Sequence, residues 1–383
     1  MNYRFSILVV LLLSIYFVQA QDYSVKANKD SLATYVGNKD IHPVKTFDHK
    51  FKATKPKNVI LMIGDGMGAT QIAAALTANK GQLNLFNCKF SGFCTTHSSE
   101  DYITDSAAGA TAIACGIKTF NAAIGVDDNK VSVKTILEKA IDKNMGTGLV
   151  STSAITHATP ASFIAHQPHR NMYEEIAADF LKTDIDVFIG GGYDHFTKRK
   201  DGRNLAAELK QKGYTVLQDI NQIKTVKSGK LAGLTAPEHN GRVAERKDML
   251  QVATQTALNV LSTKKNGFFL MVEGSQIDWG GHANDITYII EETLDFDKAI
   301  GIALEFAAKD KNTLVVITAD HETGGLTLVK GDVEKGTLKA EFSTGKHTGV
   351  MVPIFAFGPG AEQFTGLLDN TDIPKKIEKL LNF

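Results

Sequence analysis

The sequence predicts an α/β fold: a three-layer sandwich in which a large, mostly parallel central sheet is flanked by helices on both faces. Short apolar runs alternate with longer helix-like runs along most of the 383 residues, which is the rhythm of βαβ units. Runs such as Val59–Ile63 and Leu314–Thr318 are apolar at nearly every position, as expected of strands buried on both faces. A hydrophobic fraction of 43% supplies enough apolar side chains for a large core.

The elements follow in order along the chain. The predicted strands are rich in apolar and β-branched residues and are Asn58–Ile63, Gly92–Thr96, Gly146–Ser151, Asp186–Ile189, Tyr214–Leu217, Phe268–Val272, Thr313–Thr318 and Val352–Phe357. The predicted helices lie between most of them and are Ala69–Asn79, Ser106–Cys115, Val133–Lys143, Asn171–Leu181, Asn204–Lys212, Lys247–Ser262, Thr287–Ala308 and Ile373–Leu381. Alternating residues between His321 and His347 predict a hairpin.

The N-terminus predicts an exported protein. Residues 1–20 have a short positive start, an apolar stretch and the small-residue signal Val18-Gln19-Ala20, which together are typical of a cleaved signal peptide. The apolar stretch is too short for a comfortable membrane span, although an uncleaved anchor is the alternative. We therefore expect a periplasmic or secreted protein without a membrane span, in which residues 21–383 form a single domain.

Charge and cysteine content exclude other classes. The 42 basic and 42 acidic residues balance, and no basic stripe is present, so we expect no binding specific to nucleic acid. The three cysteines are Cys88, Cys94 and Cys115. Cys88 and Cys94 are close enough in sequence to pair, which the sequence leaves open, and Cys115 is expected to be a buried free thiol.

Two clusters of polar residues follow apolar runs in the first third of the chain. Asp65 lies between two glycines directly after a predicted strand, where its carboxylate is accessible, or where it caps the next helix. Ser106 opens the small-residue helix Ser106–Cys115, where the helix dipole favours an anion. A capping role for Ser106 is the alternative. As a nucleophile it needs activation, and without a GxSxG elbow a metal ion is the natural source.

The remaining clusters contain metal-ligating types of side chain. Asp278 and His282 are four residues apart and face one metal if their segment is helical, which Gly280 and Gly281 make uncertain. The other candidates are Glu273, Asp320, His321 and His347. Segments that follow parallel strands meet at one sheet edge, so these groups are expected to form a multi-metal hydrolytic site. The histidines suit zinc, whereas Glu273 and Thr159 suit a harder ion.

Six motifs in this order resemble the alkaline phosphatase family: GDGMG, TDSAAGATA, THATPASF, VEGSQID, TADHE and KHTG. The resemblance runs from about Lys57 to the C-terminus. It implies a broad phosphomonoesterase with two Zn²⁺ and one Mg²⁺, in which Ser106 is the nucleophile that becomes a phosphoserine. It also implies that Arg170 binds two phosphate oxygens, for which a planar guanidinium is suited.

The resemblance assigns the metal ligands residue by residue. The first zinc would be held by Asp278, His282 and His347. The second would be held by Asp65, Asp320 and His321, with Ser106 as a further ligand. The magnesium ion would be held by Asp65, Thr159 and Glu273.

The sequence departs from familiar members of that family in three places. His157 replaces an Asp beside the magnesium site, which weakens the expected preference for magnesium. Trp279 stands where Lys or His often follows the zinc-binding aspartate, so faster phosphate release is expected. The segment between His321 and His347 is too short for the crown-like interface domain of animal members, so a homodimer, the expected assembly, would use other surfaces.

Other functions were weighed against the phosphomonoesterase. A sulfatase would need a C/S-x-P-x-R context, which Ser106 lacks, and related diesterases generally lack a third metal site. A non-catalytic phosphate- or zinc-binding protein of the periplasm would not need an activated hydroxyl. A purely structural secreted protein is the simplest alternative.

Overall fold

A ten-stranded sheet dominates the computed structural model, which describes residues 32–37 and 41–383. The predicted signal peptide lies outside the described residues. The strands are β1 Ala33–Tyr35, β2 Asn58–Gly64, β3 Phe90–Thr95, β4 Gly146–Ala154, β5 Val187–Gly191, β6 Tyr214–Leu217, β7 Lys230–Leu234, β8 Phe268–Gly274, β9 Thr313–Thr318, β10 Glu322–Thr323, β11 Leu326–Asp332, β12 Thr337–Phe342, β13 His347–Thr348, β14 Val352–Phe357 and β15 Gly366–Asp369.

Helices alternate with these strands and cover the sheet. They are α1 Ala69–Ala78, α2 Ser106–Cys115, α3 Ile136–Asp142, α4 Ala158–Ala161, α5 Tyr173–Asp179, α6 Tyr193–Thr197, α7 Leu205–Gln211, α8 Ile220–Ile223, α9 Val243–Arg246, α10 Met249–Leu261, α11 Gln276–His282, α12 Ile286–Asp310 and α13 Asp372–Leu381. Every residue of β2, β4 and β8 is buried, so both faces of the sheet are covered there. The predicted fold class is confirmed.

The sheet is mostly parallel, with the strand order β15-β3-β14-β9-β2-β8-β4-β5-β7-β6. Only β14 runs antiparallel to its two neighbours, β3 and β9. Strands β9, β2, β8 and β4 are adjacent and parallel at the centre. Their carboxyl ends therefore lie side by side, and the segments that follow them share one edge of the sheet.

Two small sheets bring distant segments together. The predicted hairpin after His321 is confirmed as β11 and β12, to which β1 is added. Strands β10 and β13 form a two-residue antiparallel pair, in which Thr323 faces His347 and Glu322 faces Thr348. This pairing returns the chain to the edge of the main sheet and places His347 beside His321.

The sequence misses two strands of the main sheet and misplaces some helix ends. Strand β7 contains a glycine and has only five residues. Strand β15 lies at the sheet edge and starts with an exposed glycine and an exposed leucine, so neither strand has a strong apolar signal. Helix α3 starts at Ile136 rather than Val133, because the Thr135 side chain accepts from the Glu138 amide and caps the helix.

Cys88, Cys94 and Cys115 are all free thiols, so the pairing of Cys88 with Cys94 that the sequence left open is not formed. Cys115 is buried, as expected, and Cys94 is buried within β3. Among the described residues, no helix combines the length and the apolar character needed to cross a membrane.

Candidate active site

Ser106 is the first residue of α2 and is only 1% exposed. Asp105 caps this helix, since its Oδ1 accepts the Ala108 amide at 2.9 Å. All ten helix residues are buried, and small side chains let the helix lie close to the ligand-bearing segments: a Cβ on Gly109 would come within 3.1 Å of the Asp320 carbonyl oxygen. The Ser106 hydroxyl oxygen lies 3.2 Å from His321 Nε2.

Asp278, His282 and His347 form a first group of potential metal ligands. Nδ1 of His347 lies 2.9 Å from the Thr104 carbonyl oxygen, and Nδ1 of His282 lies 2.8 Å from the Gly345 carbonyl oxygen. A carbonyl only accepts, so these nitrogens carry the protons and each Nε2 presents a lone pair. The two Nε2 atoms are 3.2 Å apart, an arrangement that a shared cation would stabilise.

Asp278 and His282 lie in helix α11, although the two glycines of this segment argued against a helix. The glycines are required by packing. A Cβ on Gly280 would come within 2.8 Å of the Ile289 backbone nitrogen, and one on Gly281 would overlap the Thr323 side chain. Close approach of α11 to its neighbours therefore outweighs the low helix propensity of glycine, about 1 kcal/mol per residue.

Asp65, Asp320 and His321 form a second group, and all three side chains are fully buried. Nε2 of His321 lies 3.3 Å from Asp65 Oδ1 and 3.4 Å from Asp320 Oδ2. The turn after β2 needs Gly66, which has a φ of 72° and where a Cβ would come within 2.7 Å of Asp278 Cα. This glycine lets the segments carrying Asp65 and Asp278 approach each other.

Asp65 also belongs to a third group, with His157 and Glu273. Glu273 is the second-to-last residue of β8, and its Oε2 accepts the Ser151 hydroxyl at 2.6 Å. Thr159 lies in the short helix α4 and is fully buried. The sequence predicted His157 only beside this group, but the structure places one of its ring nitrogens within 4.8 Å of carboxylate oxygens of Asp65 and Glu273.

The buried donor atoms of these groups fit divalent cations. Among the residues that the structure describes, several of them have no hydrogen-bond partner: both carboxylate oxygens of Asp65, Asp320 Oδ2, Glu273 Oε1, His157 Nδ1 and Thr159 Oγ1. Buried carboxylate oxygens without a partner cost several kcal/mol unless a cation compensates them. Carboxylate, imidazole and hydroxyl donors are ligands of zinc and magnesium.

The carboxylates perturb one another strongly. Burial, followed by the charge of Asp320, raises the pKa of Asp65 well above its usual range. Burial and then the charge of Asp278 raise the pKa of Asp320 to about 7. For Asp278, burial alone would raise the pKa, but its close contacts with His282 and His347 outweigh burial and lower the pKa well below the usual range. A cation at this site would relieve the repulsion.

Arg170 faces the same site from the segment before α5. Its guanidinium donates to Asp105 Oδ2 at 3.0 Å and lies 3.2 Å from His157 Nε2. The structure pairs Arg170 with the residue that caps the Ser106 helix. Asp105 therefore contacts both the start of that helix and the Arg170 guanidinium.

Trp279 and a residue that the sequence analysis missed lie beside His157. The Trp279 ring is 6.2 Å from the His157 ring and 4.9 Å from the ring of His239, which lies after β7. His239 belongs to no recognisable motif in the sequence. Only the proximity of β4, β7 and β8 in the folded sheet could have suggested that it lies near the site. The structure thus brings together every residue that the sequence assigned to the site.

Comparisons with known proteins agree with this geometry. The family model for alkaline phosphatase matches residues 56–341. Alkaline phosphatase 4 of Bacillus subtilis is 38% identical over 410 residues, which cover 85% of this chain and 88% of that protein. The structure of alkaline phosphatase from the Antarctic bacterium TAB5 is 45% identical, with a TM-score of 0.81, and the match covers 87% of this chain and 99% of that one.

A variant of the TAB5 enzyme with magnesium bound is equally similar, at 45% identity and a TM-score of 0.82, with 87% of this chain and 99% of that one covered. The family match spans more than half of the chain, and the similarity extends over nearly all of the TAB5 protein. The chain therefore belongs to the alkaline phosphatase family and is a metal-dependent phosphoric monoester hydrolase.

Proposed function

We propose that this protein is an exported alkaline phosphatase that hydrolyses a broad range of phosphate monoesters through a phosphoserine on Ser106. The observation that supports this most directly is that three groups of potential metal ligands, two of which share Asp65, lie around the buried Ser106 hydroxyl. The guanidinium of Arg170 completes the site as the group that binds the phosphate.

The ligand groups suggest two zinc ions and one magnesium ion. One zinc would be bound by Asp278, His282 and His347, which offer two imidazoles. The other would be bound by Asp65, Asp320 and His321, with the Ser106 oxygen as a fourth ligand. Magnesium would be bound by Asp65, Thr159 and Glu273, although the nearby His157 nitrogen makes this third site suitable for zinc as well.

The reaction follows from the arrangement of the side chains. When bound, the ions would supply Lewis-acid stabilisation of the phosphoryl, nucleophile and leaving oxygens. Arg170 holds two phosphoryl oxygens with its planar donors. Ser106 Oγ loses its proton as it attacks phosphorus, the bond from phosphorus to the ester oxygen breaks, and that oxygen takes up a proton and leaves as the alcohol. Water attacks the phosphoserine in the second step, which releases phosphate and regenerates the hydroxyl.

The position of Ser106 suits its proposed role as the attacking group. Ser106 is almost fully buried at the N-terminus of α2, where the helix dipole favours negative charge. None of the groups assigned to the reaction needs to recognise the alcohol. Broad specificity for monoesters is therefore expected.

The proposal is tested by measuring bound metals in the purified protein together with two assays. Turnover of p-nitrophenyl phosphate should far exceed turnover of bis-p-nitrophenyl phosphate, and zinc and magnesium should both be found. Equal or faster diester turnover would identify a diesterase of related fold instead.

Replacing Arg170 with Lys should lower kcat/KM for p-nitrophenyl phosphate by roughly tenfold to a hundredfold, mainly through a higher KM. Lysine retains the charge near Asp105 but loses the paired donors, and a charge-assisted hydrogen bond contributes about 1.5–3 kcal/mol. Steady-state kinetics give both parameters. Arg203→Lys, which changes an exposed ion pair with Glu208, is the matched control and should behave like the native enzyme. A native KM in Arg170→Lys would contradict the assigned role.

Replacing Trp279 with Lys should strengthen inhibition by product phosphate. The Trp279 ring lies against His157, which contacts Arg170, so an ammonium group at this position would add positive charge beside the phosphate. The inhibition constant for phosphate should fall, and turnover limited by product release should slow. Trp279→Leu separates loss of the ring from gain of the charge. If Trp279→Lys is inhibited no more strongly than the native enzyme, the idea is wrong.

The remaining properties are also proposals. The signal-like residues 1–20 favour export to the periplasm or outside the cell. The sheet draws strands from Asn58 to Asp369, which supports a single catalytic domain within residues 21–383. The family resemblance favours a homodimer. Light scattering would measure the oligomeric state in solution.

A further inference from the structure

A row of ring side chains extends from one side of the proposed phosphate site. The His157 ring lies 5.4 Å from the His239 ring, and the His239 ring lies 4.9 Å from that of Trp279. Tyr173 and His195 form a parallel stack with 4.6 Å between their centroids, and this stack neighbours the other rings because His195 contacts Thr156 and Glu238, which precede His157 and His239 in the chain. We call these five residues the ring row. Nothing in the reaction proposed above requires His239, Tyr173 or His195.

The fold places the ring row along one direction. His157 follows β4, His195 follows β5, His239 follows β7 and Trp279 follows β8, and these strands are adjacent in the order β8-β4-β5-β7. The metal-ligand groups lie instead mainly after β9, β2 and β8. The ring row therefore starts at the ligand groups, with His157 and Trp279, and extends along the sheet edge toward β7.

The rings are held by their edges and keep part of their surface exposed. His239 Nδ1 accepts the Ala154 amide at 3.1 Å. Both nitrogens of His195 are also engaged, with the Thr156 hydroxyl at 2.6 Å and Glu238 at 3.1 Å. Tyr173, His195, His239 and Trp279 are all partly exposed, unlike the phenylalanines of the core. The rings of His157, His239 and Trp279 meet edge to face at 84° to 90°, so an individual partly exposed ring, rather than a shared flat surface, is held ready to stack on another flat group.

The ring row begins at the phosphate-binding arginine. His157 Nε2 lies 3.2 Å from the Arg170 guanidinium, and the His239 and Trp279 rings lie one ring farther out. In a nucleoside 5′-monophosphate the base is separated from the phosphate by one sugar. With the phosphate at Arg170, the base can reach the outer rings.

We propose that the ring row is a leaving-group subsite that binds the flat heterocycle of nucleoside 5′-monophosphates. The inference rests on the proposed phosphomonoesterase function and adds a preferred substrate class to it. Stacking on aromatic rings tolerates any base, because every base has a π face. The subsite should therefore favour nucleotides over phosphates of plain sugars without selecting one base.

The test compares adenosine 5′-monophosphate with ribose 5-phosphate, since both release a primary alcohol and only the former carries a base. For the native enzyme, kcat/KM should be about tenfold higher for the nucleotide, in line with the magnitude of base stacking. In His239→Asn the ratio should fall toward one, with ribose 5-phosphate turnover within about twofold of native. Asparagine retains an acceptor for the Ala154 amide, so the fold is preserved.

A binding measurement on the native enzyme provides a second arm that needs no variant. Trp279 is the single tryptophan of the chain, so its fluorescence reports on this surface alone. Adenosine should change the fluorescence saturably and should compete with p-nitrophenyl phosphate, whereas ribose should do neither.

The outcomes separate the two proposals. Hydrolysis of ribose 5-phosphate without any preference for the nucleotide, or without a fluorescence response to adenosine, would overturn the subsite and leave the phosphomonoesterase intact. Hydrolysis of neither ester would overturn the proposed function, and the subsite with it. A preference that survives unchanged in a folded His239→Asn protein would show that the ring row is not its source.

Discussion

Ser106→Ala is expected to abolish phosphate monoester hydrolysis, with kcat lowered by roughly 10⁴-fold or more, as for other enzymes that lose their nucleophile. The substitution removes one buried hydroxyl from a helix of small residues, and alanine is a good helix former, so the fold should be unchanged. The ligand groups and Arg170 remain in place. Zinc content and phosphate affinity should therefore survive, and both are measured beside p-nitrophenyl phosphate turnover.

Ser99→Ala is the matched control, because Ser99 is an exposed serine in the segment that precedes Ser106. It should retain native activity. The experiment also tests the alternative of a non-catalytic binding protein, in which the native chain would bind zinc and phosphate but turn over no ester. Retention of a tenth or more of the native kcat in Ser106→Ala would refute the phosphoserine mechanism.

Removal of metal ions by a chelator should eliminate activity and also lower the melting temperature by several degrees. Ions that bind only the folded protein stabilise it, by about 4 kcal/mol when the free ion is at 1,000 times its dissociation constant. Without ions, the buried oxygens of Asp65, Asp320 and Glu273 have no compensating partner. Thermal unfolding monitored by circular dichroism, with and without chelator, gives the shift.

Restoration of zinc and magnesium together should recover both activity and melting temperature, which distinguishes loss of ions from irreversible damage. The same comparison, with and without chelator, is made with Asp320→Asn. This substitution removes one charge from the ligand group and relieves repulsion at Asp65. The chelator should shift the melting temperature of this variant less than that of the native protein. An apo protein with native activity would show that the ligand groups do not serve catalysis.

The centre of the fold could be predicted from the sequence because β2 and β9 are continuous apolar runs. Such short runs are typical of strands that are buried on both faces of a sheet. Strands at the periphery give weaker signals. Strand β7 contains small residues and a glycine, and β15 starts with an exposed glycine and an exposed leucine, so both depend on pairing with a neighbour that no local pattern reveals.

Most of the candidate ligands could be grouped from the sequence because they belong to short motifs at or after the ends of strands. The contacts that orient the ligands could not be predicted. The pairing of β10 with β13 places His347 at the site, because Thr323 lies opposite His347. Strands of two residues are too short to give a recognisable pattern in the sequence. Its tautomer depends on the Thr104 carbonyl oxygen, a backbone atom that any residue type would supply.

Helix α11 shows how tertiary packing overrides a local rule. Two consecutive glycines argue against a helix on propensity alone, yet Gly280 and Gly281 are the residues that allow α11 to approach Ile289 and Thr323. The i, i+4 spacing of Asp278 and His282 then serves one ligand group as the sequence suggested. The space available where α11 packs against its neighbours, rather than the helix propensity of glycine, therefore determines the structure of this segment.

The two oxygens of Asp105 connect parts of the molecule with different tasks. One accepts the Ala108 amide at the start of the helix that carries Ser106, and the other accepts from Arg170 and from the Ala122 amide. A displacement of this carboxylate would shift the proposed nucleophile and the proposed phosphate-binding group together. Directed evolution that alters substrate affinity through Arg170 therefore faces a constraint. The orientation of Ser106 and the affinity for phosphate cannot be adjusted separately while both depend on Asp105.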